Sequence, residues 1–188
     1  MFSKKGFVTV CLVILAALII SGCAPTTPMP VAVGDSYGGG IVAYILQSGD
    51  PGYDANVQHG LIAATADQSA GIQWNNGSDV VTGATDTAIG TGQANTTTIV
   101  TIQGVGSYAA QLCNDLIVDV YIDWFLPSRD ELNKLRINKV AIGGFADGTY
   151  WSSSEIHAVS AWLQIFYSGI QLLKTKGFTS RVRAVRAF

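Results

Sequence analysis

The segment DWFLPSRDELNKL, residues 123–135, has the pattern of a strand followed directly by a helix, which would restrict the folds open to this chain. The run over residues 122–127 is apolar and aromatic apart from Asp123, and it predicts a buried strand closed by its final proline. Ser128 and Glu131 follow with the spacing of a capping box, which predicts a helix over residues 130–138. The fold must therefore place a helix immediately after a strand.

The carboxylates of this segment also have a catalytic interpretation. Asp123 with Asp130 or Glu131 would supply the pair of carboxylates that glycan hydrolysis requires. We favour a structural role, in which Trp124 fills the core and Glu131 caps the helix together with the serine three residues earlier.

Further helices and strands are predicted on both sides of this segment. Two helical runs precede it, one over residues 96–103 capped by Asn95 or Thr96, and one over 108–118 capped by Ser107. Apolar runs bounded by turn-forming residues predict strands at 41–46, 60–65, 71–79, 149–154, 160–169, 170–177 and 180–188. Helices in the middle of the chain with strands before and after them predict an α+β domain.

The N-terminus has the pattern of an export signal. Lys4 and Lys5 precede an apolar run, residues 7–20, that is shorter than the ~20 residues of a membrane-spanning helix. The run ends in Ile-Ser-Gly-Cys, which resembles the bacterial lipobox, whose cysteine becomes the lipidated first residue. An ordinary signal peptide with a chance cysteine is the alternative. The predicted divisions are a signal peptide over 1–22, lipidated Cys23 with a proline-rich tether over 23–33, and one domain over 34–188.

Ala24 bears on the destination of such a lipoprotein. In lipoproteins of Gram-negative bacteria, a residue other than aspartate after the lipidated cysteine favours transfer to the outer membrane. We therefore expect a protein of the cell envelope, held at the outer membrane through the lipid on Cys23. Two or three acyl chains anchor a protein firmly, whereas one chain binds marginally and reversibly.

Charge and cysteine content limit the partners and the means of stabilisation. Loss of Lys4 and Lys5 with the signal changes the formal net charge from −2 to −4. This argues against nucleic acid as a partner, because nucleic-acid binding needs a basic face. With Cys11 in the signal and Cys23 lipidated, Cys113 is alone, so an internal disulfide is excluded and a hydrophobic core must stabilise the domain.

The sequence contains no recognisable pattern for a metal or an organic cofactor. His59 and His157 are too few, with one free thiol, for a zinc site of usual composition. The aspartates before residue 70 lack the spacing of a calcium loop. The glycines at 38–40 precede a strand, whereas a phosphate loop requires a helix N-terminus. We therefore expect neither metal nor cofactor.

Residues 151–162, WSSSEIHAVSAW, concentrate polar side chains between two tryptophans. Nucleophilic catalysis would need a serine with a base in hydrogen-bond reach, but neighbours in an extended segment point to alternating faces. We predict no enzymatic activity. Instead, we expect residues 152–155 to satisfy backbone groups in a bend and Trp151 and Trp162 to lie in the core.

Several motifs, in order, resemble a known family. WSSSE, AW, the terminal VRAVRAF, DWFLPSRDELNKL and IGGFADGTYWSSSE resemble the family named for the C-terminal domain of the Legionella collagen-like protein. VGDSYGGGIVAYIL, VQHGLIAA and GIQWNNG extend the resemblance from residue 33 to the end. The C-terminal frame also resembles target proteins of diversity-generating retroelements. These have a C-type lectin-like fold and vary surface residues within a constant frame.

The resemblance implies a C-type lectin-like fold of the α+β class, in which two helices pack on mixed, short antiparallel strands and the termini lie close together. It also divides the site residues into two sets. The structural frame is Trp124, Ser128, Glu131, Trp151, Trp162, Phe166 and Gly169. The implied exposed ligand-binding positions are Ile156, His157, Ala158, Val159, Ser160, Leu163, Gln164, Ile165, Tyr167, Ser168, Ile170, Leu172, Leu173, Lys174, Thr175, Phe178, Thr179, Ser180 and Arg181.

The expected function is that of an adhesin-like surface lipoprotein that binds a protein or a glycan. Within the binding set we expect His157 to lie beside Leu163, Ile165 and Tyr167. The calcium-binding triplets Glu-Pro-Asn and Gln-Pro-Asp of many lectins are absent from the sequence, so calcium-dependent sugar binding is not implied. The alternatives are a structural envelope lipoprotein without a specific ligand and a glycan-acting hydrolase. The sequence predicts no oligomeric state.

Overall fold

A computed structural model describes residues 29–188, and the predicted signal peptide and Cys23 lie outside the described residues. Part of the predicted tether is attached to the domain. The Val31 amide donates to Oε1 of Gln58 at 2.8 Å, and Nε2 of Gln58 donates to the Val31 carbonyl at 2.9 Å. Residues 31–33 therefore belong with the domain. Within 29–188, no helix combines the length and apolar character needed to cross a membrane.

The described chain has an α+β architecture, as predicted. Its strands are β1 (Ser36–Tyr37), β2 (Gly40–Ile45), β3 (Gly60–Ala63), β4 (Ser69–Gln73), β5 (Thr149–His157), β6 (Ser160–Ile165), β7 (Gln171–Thr175), β8 (Thr179–Val182) and β9 (Val185–Ala187). Its helices are α1 (Gly92–Gln103), α2 (Ala109–Asn114), α3 (Arg129–Ile137) and α4 (Lys139–Ile142).

The strands form two sheets. One has the order β1-β2-β3-β9 and is antiparallel throughout, so the earliest and latest described strands share a sheet. The other has the order β4-β8-β5-β6-β7, and its β5–β8 pair is parallel, at Tyr150 and Arg181. Antiparallel β5–β6 and β6–β7 pairs place the C-terminal half of the chain in one continuous ladder.

Two apolar clusters fill the space between sheets and helices. One contains Trp74, Trp124 and Trp151, which are at most 1% exposed. The other contains Phe166 and Leu132, the latter from the inward face of α3. The predicted burial of Trp124, Trp151 and Phe166 is confirmed, and each such aromatic side chain removes a large apolar area from water.

The capping box at the start of α3 is confirmed. Oγ of Ser128 accepts from the Glu131 amide at 3.3 Å, and Oε2 of Glu131 accepts from the Ser128 amide at 2.7 Å. Oε1 of Glu131 also accepts from the Gly90 amide at 2.8 Å, which holds the preceding loop against the helix. Burial raises the pKa of the Glu131 carboxyl, and the hydrogen bonds from these amides act in the opposite direction. A cap of this kind stabilises by about 1 kcal/mol.

The predicted strand over residues 122–127 is wrong. Only Phe125 pairs there, in an isolated bridge with Val185. The Leu126 amide instead donates to the hydroxyl of Thr96 on α1 at 3.0 Å, so a side chain replaces a neighbouring strand as its partner.

The predicted caps of the two earlier helices are also wrong. Helix α1 begins at Gly92 after Thr91, and neither it nor α2 has a side-chain cap; α2 follows Tyr108 and ends at Asn114. Asn95 lies inside α1 because its amide bonds to the loop before the helix and to Ser153. Tertiary partners have replaced local capping.

Candidate ligand-binding surface

A buried ion pair lies under the turn between β5 and β6. Nζ of Lys176 donates to Oε2 of Glu155 at 2.6 Å, and both side chains are fully buried. The ammonium also donates to the Val80 carbonyl at 2.8 Å and lies 4.4 Å from the centroid of the Trp74 ring. Oε1 of Glu155 accepts the amides of residues 82 and 83, at 2.8 and 2.6 Å. The pair thus fixes loop 80–84 against β5.

The three serines before Glu155 join β5 to its neighbours. Oγ of Ser152 donates to the Trp162 carbonyl on β6 at 2.9 Å. Oγ of Ser153 accepts from Asn95 at 3.3 Å. Oγ of Ser154 donates to the carbonyl of residue 86 at 2.7 Å and accepts the amide of residue 129 at 3.1 Å. Ser152, Ser154 and Glu155 therefore bond to backbone groups as predicted, whereas Ser153 bonds to a side chain. The predicted bend is wrong, because all four residues lie within strand β5.

The turns beyond this polar network form one exposed surface, which we call the turn-end surface. Ser160 pairs with both His157 and Thr175, so the β5–β6 turn and the β7–β8 turn lie at the same end of the ladder. The Lys176 amide donates to the Val159 carbonyl across these turns at 2.9 Å. Predicted ligand-binding residues on this surface are Ile156, His157, Ala158, Val159, Ser160, Leu173, Lys174, Thr175, Phe178 and Thr179.

Apolar side chains are prominent on the turn-end surface. Ile156 is 46% exposed, Val159 43%, Leu173 40% and Phe178 38%. Nζ of Lys174 lies 4.6 Å from the centroid of the Phe178 ring, so a cation borders the apolar group. Loop 80–84, fixed by the ion pair, adds exposed Val80 and Val81.

Trp162 is the exception in the predicted frame. It is partly exposed, and the Arg129 guanidinium lies 5.2 Å from its ring centroid. It pairs with Leu173 of β7 on the face that α3 covers only in part. The prediction that Trp162 is a core anchor is therefore wrong, because its face of β6 extends beyond the helix that covers the Gln164–Gln171 pair.

Other predicted ligand-binding positions are not exposed. Leu163 is 2% exposed, Gln164 0% and Ser180 2%, so their predicted place on the surface is wrong. Leu163 faces the core on β6, and Nε2 of Gln164 donates to Asn133 of α3 at 2.7 Å. Positions that are partly buried are Ile165 and Leu172, which pack against the core, and Arg181, which pairs with Asp67.

The predicted proximity of His157 and Tyr167 is also wrong. His157 is at the β5–β6 turn, whereas Tyr167, Ser168 and Ile170 follow the opposite end of β6. Strand β6 has six residues, which separate the two ends by about 17 Å. Gly169, a frame residue at φ 82°, forms this second turn, where a side chain would meet Arg136. The binding set therefore divides between two ends of the ladder.

The carboxylates weighed for catalysis have separate structural partners. Asp123 accepts two hydrogen bonds from Arg186, at 2.7 and 2.8 Å, and this pairing lowers the pKa of the Asp123 carboxyl despite partial burial. Glu131 caps α3, and Glu155 pairs with Lys176. Among residues 29–188, no group of three or more His, Cys, Asp or Glu side chains is arranged to hold a metal.

Fold and surface together define an α+β domain that presents exposed turns on a buried polar frame. The family model of the Lcl C-terminal domain matches residues 63–186. The chain belongs to this family. No curated protein matches the chain significantly.

A cavity lies mainly outside the matched segment. This cavity of about 730 Å³ lies between the tether, loop 56–59 and the C-terminal strand. Tyr121 and Arg186 are its lining residues within 63–186. Arg186 is paired with Asp123, so its charge is compensated. We therefore base the functional argument on the turn-end surface.

The sequence analysis did not predict that loop 80–84 and Trp74 help to form the turn-end surface and the buried ion pair below it. The loop reaches the site through backbone contacts to Glu155 and Lys176, which are distant in sequence. The apolar pair Val80-Val81 directly before a glycine-rich loop is the only local signal.

Proposed function

We propose that this chain is an envelope lipoprotein whose domain binds a protein or glycan ligand through the turn-end surface. The observation that carries the proposal is the set of exposed apolar side chains, Ile156, Val159 and Phe178, standing on turns that a buried ion pair fixes. Exposed apolar patches mark interaction sites, and rigid support lowers the entropy lost on binding. The family description is consistent with a ligand-binding module.

A C-type lectin-like arrangement is part of the proposal. It is supported by the pairing of β9 with β3 in the sheet that also contains β1, and by the contact of Tyr37 with Phe188 at 5.4 Å between ring centroids. Early and late parts of the chain thus meet, as the resemblance implies. Variation of exposed turn residues by a retroelement would leave the buried frame intact, whereas Leu163 and Gln164 would tolerate little change.

Anchoring through Cys23 rests on the lipobox resemblance of residues 20–23. We expect the chain, expressed in a Gram-negative host, to incorporate labelled palmitate and to yield a mature N-terminal peptide beginning with acylated Cys23. Cys23→Ala should abolish incorporation. Cys113→Ala is the matched control and should leave it intact, because that thiol is fully buried and burial raises its pKa. An unmodified N-terminal peptide beginning elsewhere would remove this part of the proposal.

Binding is tested by screening the chain against arrays of glycans and of purified envelope and host-surface proteins. For any ligand found, we expect the double variant Ile156→Ser/Val159→Ser to weaken binding at least about tenfold while retaining the melting temperature. Both side chains are nearly half exposed, so their removal costs little core packing. Tyr167→Ser, at the opposite turn and 66% exposed, is the control and should bind as the wild type does.

The outcomes also separate the alternative functions. Loss of binding in Tyr167→Ser with retention in the double variant would move the site to the other turn. An absence of ligands on every array would favour a structural envelope lipoprotein. We propose that the chain is not an enzyme; glycan cleavage products that disappear in Glu155→Gln while the melting temperature is retained would favour the hydrolase.

A further inference from the structure

We propose that the partner bound at the turn-end surface is an extended peptide segment, which adds as a strand to the free edge of β7. This inference rests on the proposed function and assigns the ligand to the protein class. Strand addition draws affinity from main-chain hydrogen bonds and specificity from contacts with alternate side chains.

The hydrogen-bond register shows which groups of β7 face outward. The amide of Ile165 bonds to the carbonyl of residue 170, and the amide of Lys176 bonds to that of Val159. In an antiparallel ladder every second pair exchanges hydrogen bonds. Residues 172 and 174 therefore bond to β6, whereas the amides and carbonyls of Gln171, Leu173 and Thr175 point away from it. The Thr175 carbonyl accepts the Phe178 amide at 2.9 Å, so the groups left for an added strand are those of Gln171 and Leu173 and the Thr175 amide.

Among the described edge strands, β7 is a five-residue strand with a regular register. Its pairing with β6 runs without a bulge over five residues. At the other edge of this sheet, β4 has an irregular register, and its Ile72 carbonyl accepts from Trp151 at 2.9 Å. In the second sheet, edge strands β1 and β9 have two and three residues, and Val185 of β9 exchanges hydrogen bonds with Phe125 at its outer side. Bulges and short length protect edges from pairing, and β7 has neither protection.

The side chains beside this edge suit an extended apolar segment. Leu173 pairs directly with Trp162, so the two form a row that leads across the face to the edge. A strand added to β7 would place a side chain next to Leu173, at about the 4.5–5.5 Å spacing of cross-strand neighbours. On the opposite face the added strand would meet Lys174, which lies over Phe178.

The size of the edge favours a peptide over a second copy of the chain. The ends of five residues lie about 14 Å apart, and a single pair of strands of this length buries far less than the roughly 1,200 Å² of a stable dimer. A flexible peptide does not need the large preformed interface of a folded partner, because it can follow the edge of β7 and the adjoining turns. Self-pairing of β7 is the competing outcome.

The test uses a random dodecapeptide display library selected on the full chain, with the best peptide synthesised and its affinity measured. Leu173→Pro removes the outward amide while leaving the bonds to β6, and proline is tolerated at a solvent-facing edge position. We expect at least a tenfold loss of peptide affinity with the fold retained. Leu173→Ala keeps the amide and should weaken binding by a smaller factor.

Amide hydrogen exchange gives an independent readout in the wild-type chain. Peptide binding should slow exchange at Gln171, Leu173 and Thr175, whereas the amides of residues 172 and 174 should be protected with or without peptide. Unchanged exchange at the three outward amides would overturn the proposal, as would a selection that yields no peptide. A dimer that Leu173→Pro dissociates would also overturn it and assign the edge to self-association.

The two proposals fail differently. If Ile156→Ser/Val159→Ser weakens binding of an array ligand but Leu173→Pro does not, the turn-end surface binds without strand addition, and only the present inference is lost. If neither variant changes binding, both proposals are wrong.

Discussion

We expect Lys176→Met to lower the free energy of unfolding by about 3–5 kcal/mol, because it leaves the Glu155 carboxylate buried without its cation. Nζ of Lys176 is fully buried against that carboxylate and the Trp74 ring, and methionine has nearly the same length without a charge. The Val80 carbonyl also loses its donor, so loop 80–84 should loosen. Urea unfolding measures the first effect, and amide exchange at residues 82 and 83 measures the second.

Comparison of Lys176→Met with a double variant provides the control. Lys176→Met/Glu155→Leu removes both charges, and we expect it to be more stable than the single lysine variant, because a buried pair replaced as a unit costs less than one broken. If Lys176→Met instead unfolds with wild-type stability, the ammonium contributes nothing to the fold. The turn-end surface would then lack the rigid support that we assign to it.

Local sequence signals predicted the parts of the fold that local chemistry determines. The capping box at Ser128 and Glu131 requires only four residues and formed as expected. The strands of the C-terminal half were predicted from apolar runs separated by glycines, and β5, β6 and β7 lie close to those positions. The single strand predicted over residues 180–188 is wrong, because the chain there forms β8 and β9, which belong to different sheets. The predicted strand before α3 failed because the Leu126 amide has a partner 30 residues away on Thr96.

The burial of all five residues of WSSSE could not be predicted from the alternating direction of side chains along a strand. The register of β5 against β6 shifts between Trp151 and Glu155 and again between Glu155 and His157. Such irregularities interrupt the regular two-residue period of side-chain direction. Residues 151–155 are consequently all buried, and the three serine side chains bond to β6, to α1 and to the loop before α1. Sequence reasoning predicted that polar groups here are satisfied, but it placed them in a bend and could not locate the partners.

The binding set was predicted as one face although the ladder separates its members. Residues 160–165 alternate between the α3 side and the core, so Leu163 is interior while Trp162 is partly exposed. A strand also has two ends, and the turns containing His157 and Tyr167 lie at opposite ones. A resemblance supplies the positions of variable residues along the chain, but the direction of each side chain depends on register, which pairing in three dimensions determines.

Trp151 and Trp162, the two tryptophans on either side of SSSEIHAVSA, should differ sharply in their effect on stability when they are replaced. Trp151 is fully buried, and its Nε1 donates to the Ile72 carbonyl at 2.9 Å. We expect Trp151→Ala to lower the free energy of unfolding by about 3–5 kcal/mol, through lost burial and the cavity left behind. Trp162→Ala should cost about 1–2 kcal/mol, because part of its ring is already in water. Urea unfolding with an unchanged m-value allows the two to be compared directly.

Trp151→Phe and Trp162→Phe are the matched controls, since each keeps an aromatic ring. Trp151→Phe still leaves the Ile72 carbonyl without its indole donor and should cost roughly 1 kcal/mol or more, whereas Trp162→Phe should be nearly neutral. For peptide affinity we expect the opposite order, with the direct effect at Trp162. Trp162 adjoins Leu173 on the face beside the β7 edge, so Trp162→Ala should weaken a bound peptide even though the domain stays folded. Equal destabilisation by the two alanine variants would show that Trp162 is a core residue. Trp162 would then not be available, beside Leu173, for contact with a peptide bound at the β7 edge.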